Sequence, residues 1–227
     1  MITYEELLQE LFSHADEGYR AFHKKLLKDD TIAVIGVRIP VLRAIAKKYK
    51  GELQSLLAFP DEWYEVKFLK CAVASFLPYH ELCAQIEGLV SLLDNWATCD
   101  GFAPGCIAKN KEDFLTYIDR FLVDERVFVR RFALTTLLHF YVDAKYLPEV
   151  TERLRRVHAG EYYVSMAAAW LAAEIVIKFW NAGIAMLEEN SLDPVTHNRA
   201  IRKACESLRL SAREKDALHA LKRPVTA

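Results

Sequence analysis

Glycine is scarce in this chain, with 8 residues in 227, and no Asn-Gly or Asp-Gly pair sits between alternating apolar residues. That shortage removes the usual hairpin signals, and apolar positions recur at three and four almost throughout, so strands are excluded in favour of helices. The 5 cysteines, Cys71, Cys83, Cys99, Cys106 and Cys205, are odd in number and lack any Cys-x-x-Cys pair. This excludes a disulfide framework and a structural zinc site, and fits small buried thiols in a reducing cytoplasm. No apolar run approaches the ~20 residues of a membrane span. Even the most apolar segment, Met166 to Trp180, is broken by Glu174 and Lys178. The first residues hold a capping box from Thr3 to Glu6 where a basic, apolar leader would stand, so no signal peptide is expected. Neither sign of charge dominates: 30 basic against 31 acidic residues give −1, which excludes a wholly basic nucleic-acid coat but not a basic face.

What is present is apolar content, 52% of residues, with no low-complexity block. The period and the Pro, Gly and Asp breaks predict helices at 4–13, 16–28, 40–49, 51–58, 61–77, 80–93, 95–108, 111–122, 126–142, 146–157, 161–179, 181–189, 194–207 and 211–222. The β-branched run Thr31 to Val37 reads as an extended connection feeding the helix at Pro40. Paired helices joined by short turns, at a rhythm of about 35 to 40 residues, predict an all-α fold. Its expected architecture is an α-solenoid of HEAT-like repeats forming a single domain over 1–227, with a globular helical bundle as the alternative.

One stretch stands out chemically: Asp94-Asn95-Trp96-Ala97-Thr98-Cys99-Asp100, followed by Gly101-Phe102-Ala103-Pro104-Gly105. Asp94 and Asn95 suit a helix N-cap, and Trp96 and Asp100, four apart, share one helical face. An indole beside a carboxylate attracts a flat cationic group, although capping, core packing and solvation explain the same three side chains. Basic residues cluster locally. From Gly36 to Gly51 the cations Arg38, Arg43, Lys47, Lys48 and Lys50 meet no acid, Arg126, Arg130 and Arg131 form a second group, and Arg199 to Arg223 holds eight basic residues against three acidic ones. Each group suits phosphates or a solvated face. Arg131, Thr135 and His139 lie four apart as a polar stripe expected of a groove-lining helix, and Tyr163, Ala167, Trp170 and Glu174 form a comparable one. His139 and His158 have no partner at metal-ligand or triad spacing.

Several segments together resemble the DNA alkylation repair family, the AlkD-like HEAT-repeat DNA glycosylases: Gly36 to Arg43, Trp63 to Lys67, Asp94 to Asp100, Val129 to Ala133, and Tyr162 to Trp170. The resemblance implies excision of purines alkylated at N3 or N7, lesions that carry a positive charge. It implies that Asp100 is the catalytic carboxylate, that Trp96 and Trp170 are aromatic walls with Tyr163 beside them, and that Arg131 contacts a flanking phosphate, with Arg130 its neighbour and competitor. Arg38, Arg43, Lys47 and Arg130 are then the DNA-backbone contacts. Such chemistry needs no metal and no cofactor, and its partner is alkylated duplex DNA, bound by a cytoplasmic monomer that makes no membrane contact. Two stretches depart from the family's pattern: Ala172 and Ala173 stand where a basic residue is usual, and Tyr19 to Ile35 lacks the aromatic pairs that precede the Gly-Ile/Val segment. The alternative is therefore a helical-repeat module that binds nucleic acid or a protein without catalysis.

Overall fold

The computed structural model describes residues 1–27, 29–158 and 160–225. Helices account for all its regular elements among those residues, apart from an isolated bridge between Ala33 and Trp63. They fall into two compact units, Met1–Asn110 and Lys111–Ala227. The first contains α1 (Tyr4–Ser13), α2 (Glu17–Leu27), α3 (Ile39–Lys48), α4 (Leu53–Leu57), α5 (Tyr64–Ala74), α6 (Tyr79–Val90), α7 (Trp96–Gly101) and a 3-10 turn at Gly105–Lys109. The second contains α8 (Lys111–Leu122), α9 (Val127–Phe140), α10 (Leu147–Arg155), α11 (Tyr162–Lys178), α12 (Trp180–Glu188), α13 (Pro194–Cys205) and α14 (Ala212–Ala220). The all-α expectation holds, and each expected helix has a counterpart; Lys28, the last residue of the helix expected at 16–28, lies outside the described residues. The helix expected at 95–108 is divided, since α7 stops at Gly101 and only a 3-10 turn follows Pro104. Proline cannot donate to a helical bond and biases the residue before it away from the helical region.

Local chemistry sets the helix starts. The Thr3–Glu6 box caps α1 and an equivalent Ser211–Glu214 box caps α14. Asp193 caps α13 by accepting from the amides of Val195 and Thr196, with Pro194 in the first turn.

In the first unit α5 is the hub, packing against α3, α4, α6 and α7. Nine of its eleven residues are buried, including two that carry charge. Glu65 is fully enclosed, and its carboxylate accepts from the amides of Ile35, Gly36 and Val37 at 2.9, 2.7 and 3.2 Å. The extended run before α3 is thus a strap laid across α5, as the sequence suggested, with Ile32, Val34, Ile35 and Val37 buried beneath it. Gly36 is required at the crossing: its φ is 102°, and a Cβ there would sit 2.7 Å from both the Asp16 carbonyl oxygen and the Arg20 Cβ. Burial pushes the Glu65 carboxyl above the usual glutamate range, against the opposing pull of the three amides. Lys70, the other enclosed charge, donates to the Phe59 carbonyl and to Asp61 at 2.6 and 2.5 Å.

In the second unit α11 is the hub, meeting α9, α10, α12 and α13. Its run of Ala167, Ala168, Ala169, Ala172 and Ala173 is buried on several sides, so neighbouring helices approach closely. At Gly183 of α12 a Cβ would meet the Val176 Cα of α11 at 2.4 Å, which makes glycine the residue that permits the turn. Among the described residues no helix is long and apolar enough to cross a membrane.

Replacing Glu65 by Gln turns an amide group toward backbone N–H donors, leaving at least one of them unsatisfied and costing about 1–3 kcal/mol; the urea-unfolding midpoint should fall accordingly. A second expectation concerns His23, which is buried between Tyr19 and Tyr64 at ring-centroid distances of 5.5 and 4.6 Å, with its Nε2 unpaired. Burial lowers its pKa, so the unfolded chain binds the proton more readily. Stability from this group is present above about pH 6.5 and is lost as pH falls below it. Wild type should lose more stability than His23→Leu on going from about pH 7 to about pH 5, read from urea midpoints at each pH.

Candidate functional site

The first unit assembles the Asp94–Asp100 stretch from its cap outward. Asn95 accepts from the Thr98 amide at 2.9 Å, and its own amide nitrogen donates to Asp94 and to the Thr98 hydroxyl at 2.7 and 3.0 Å. Asp94 also pairs with Lys67 of α5, which lies half-buried, so the start of α7 is tied to the hub. Lys67 and Asp94 thus serve to anchor this turn, and Glu65 anchors the strap; the sequence alone left open whether Glu65 and Lys67 lie in a groove or on a surface. At the other end Gly101 lies against the Phe68 ring, where a Cβ would come within 2.8 Å of Cε2.

The turns of α7 then sort its side chains. Ala97, Thr98 and Cys99 face inward and are buried, whereas Trp96 and Asp100 keep partial exposure. This is the shared face expected from their spacing. The indole is held by its edge, since Nε1 donates to the Leu26 carbonyl at 3.1 Å near the end of α2. A ring fixed in this way, with a partly hydrated carboxylate one turn away, can receive a cationic aromatic group at low ordering cost.

The remaining basic candidates of this unit divide. Arg38 is bound by Asp16 at 2.7 Å and Lys48 by Glu10 at 2.9 Å. Arg43, Lys47 and Lys50 are exposed at helical spacing along and just past α3, and pair with no carboxylate among the described residues. They form a basic stripe that can approach phosphates.

Arg131, Tyr163 and Trp170 all lie in the second unit. Arg131 is 6% exposed, and its Nη1 donates to the Tyr163 carbonyl at 2.8 Å, which braces α9 against α11. Arg130 is bound to Glu161 at 2.5 Å. The expected polar stripe on α9 is only partly open: Thr135 is buried and bonds the Phe132 carbonyl, and His139 alone is exposed. The reason is that α9 packs against both α8 and α11, which leaves little free circumference. Trp170 is half-buried and meets His139 edge-on, with centroids 6.4 Å apart. The Tyr163 ring packs on Phe128 and Tyr162 at 5.0 and 5.3 Å. Glu174, next on that stripe, is held by Arg209 at 2.7 Å. Among the described residues no three His, Cys, Asp or Glu side chains are grouped to hold a metal ion.

No individual curated protein matches the chain. A family model does match, that of the DNA alkylation repair enzymes, over residues 7–207, which takes in most of both units. The chain therefore belongs to the DNA alkylation repair enzyme family.

Proposed function

We propose that the protein is a DNA glycosylase that excises purines carrying a positive charge from alkylation at N3 or N7. The observation that carries this reading is the sorting of α7, which leaves Trp96 and Asp100 together on its partly open face with the indole anchored to Leu26. When the base–sugar bond breaks, its electron pair leaves with the purine, which becomes neutral, and C1′ of the sugar takes on oxocarbenium character. A fixed carboxylate at that face stabilises the growing charge, and it can orient the water that adds to C1′ and releases a proton.

In this reading Asp100 is the catalytic group and Trp96 the wall that receives the charged purine. Trp170 is the second aromatic surface, and Tyr163, whose carbonyl holds Arg131, is a further substrate contact two turns earlier on α11. Arg131 is the residue assigned to a flanking phosphate, and the Arg43–Lys47 stripe supplies backbone contacts. Arg38 and Arg130 contribute only by exchanging Asp16 and Glu161 for phosphate. The binding partner is alkylated duplex DNA, engaged by a monomer in the cytoplasm, and no metal or organic cofactor enters the chemistry. A non-catalytic nucleic-acid-binding module is the second reading, favoured by the enclosure of Arg131.

Asp100→Asn keeps the shape and removes the charge. Release of 7-methylguanine and 3-methyladenine from methylated duplex DNA should fall on the order of 10²-fold in this variant, with DNA affinity and thermal midpoint nearly unchanged. Equal release by the variant removes Asp100 from the chemistry, and no release by folded wild type, with binding that weakens steeply in salt, selects the second reading.

A further inference from the structure

At least eight of the fifteen arginines of this chain hold a carboxylate within it, among them Arg38, Arg126, Arg153, Arg155 and Arg209 at 2.7 or 2.8 Å. Arg199 and Arg202 of α13 are different. Neither pairs with a carboxylate among the described residues, and both line one cavity of about 250 Å³ between α11 and α13.

The cavity is built by two helical faces. α11 contributes Tyr162, Met166 and Ala169, spaced by four and three, and α13 with its C-cap contributes Arg199, Arg202, Lys203 and Glu206, spaced by three, one and three. Arg199 is held in place from below: its Nη1 donates to the Ser165 hydroxyl at 2.6 Å, and Ser165 shares a 2.6 Å bond with the fully buried Thr196 hydroxyl. Its guanidinium also lies 5.0 Å from the centre of the Tyr162 ring. The fork is thus oriented by a buried hydroxyl pair and an aromatic ring, neither of which neutralises it, and four of its five N–H donors remain for a ligand. Lys203 has only Glu206, at 3.4 Å and largely exposed to water, a pairing of little strength. Three positive charges against one negative charge leave the cavity a surplus of two.

We infer that this cavity binds the phosphate monoester of a nucleotide, either free or at the end of a DNA strand. A phosphate monoester carries about −1.5 to −2 charges at neutral pH and three acceptor oxygens, matching the surplus and the oriented guanidinium, whereas an internal phosphodiester carries about −1. Tyr162, 48% exposed at the rim, offers an aromatic surface for the attached sugar or base. The inference uses neither Asp100 nor an altered base, so it stands or falls separately from base excision.

The test is fluorescence anisotropy of the full chain with one unmodified single-stranded oligonucleotide, prepared with a 5′-phosphate, with a 3′-phosphate, or with hydroxyls at both ends. At least one phosphate-ended form should bind about tenfold tighter or better than the hydroxyl-ended form. Arg202→Ala, at an exposed position, and Arg199→Lys, which keeps charge but loses the fork, should each remove that advantage while the circular dichroism spectrum stays as in wild type. Competition by adenosine 5′-monophosphate assigns the site to a free nucleotide, and its failure to compete assigns the site to a strand end. Equal affinity for all three oligonucleotides, or an advantage that persists in both variants, overturns the inference.

Discussion

The first unit depends on one buried carboxylate. Glu65 gathers three consecutive amides of the strap, and nothing else in that stretch could satisfy them once the β-branched residues around Gly36 are buried. Burying an ionisable group costs several kcal/mol unless it is well bonded, so the strap and α5 need one another. From that fixed helix, successive turns reach outward: Lys67 holds Asp94, Phe68 lies under Gly101, and Lys70 holds the turn at Phe59 and Asp61. The α7 turn that carries Asp100 is therefore held in place from α5.

The second unit reaches comparable order by a different route. Its central helix carries small residues instead of buried charges, and close backbone approach, as at Gly183 and Val176, does the work that hydrogen bonds do around Glu65. In the N-terminal half of α11 the Tyr163 carbonyl receives Arg131 and Ser165 receives Arg199, and in its C-terminal half Glu174 receives Arg209. The alanines at 172 and 173 are core residues of this packing.

Electrostatics in a protein of almost zero net charge is a matter of distribution. Cations bound to carboxylates are available to a polyanion only at the cost of breaking an ion pair, small for exposed pairs and larger for the half-buried Arg130. The unpaired cations of α3 and α13 carry no such cost. Composition could not separate the two kinds, because pairing is decided between helices far apart in sequence: Arg38 finds Asp16, and Arg209 finds Glu174.

The sequence by itself determined the helical fold, most helix positions and the common face of Trp96 and Asp100, since these follow from local periodicity, caps and the spacing of residues four apart. It also determined the family, through motifs whose order spans most of the chain. The tertiary structure alone decided that Glu65 is an anchor, that Arg131 and Thr135 are enclosed, and that Arg199 is oriented by Ser165. Each of those outcomes depends on a partner tens of residues away or on how many neighbours surround one helix. A local pattern carries no record of either quantity.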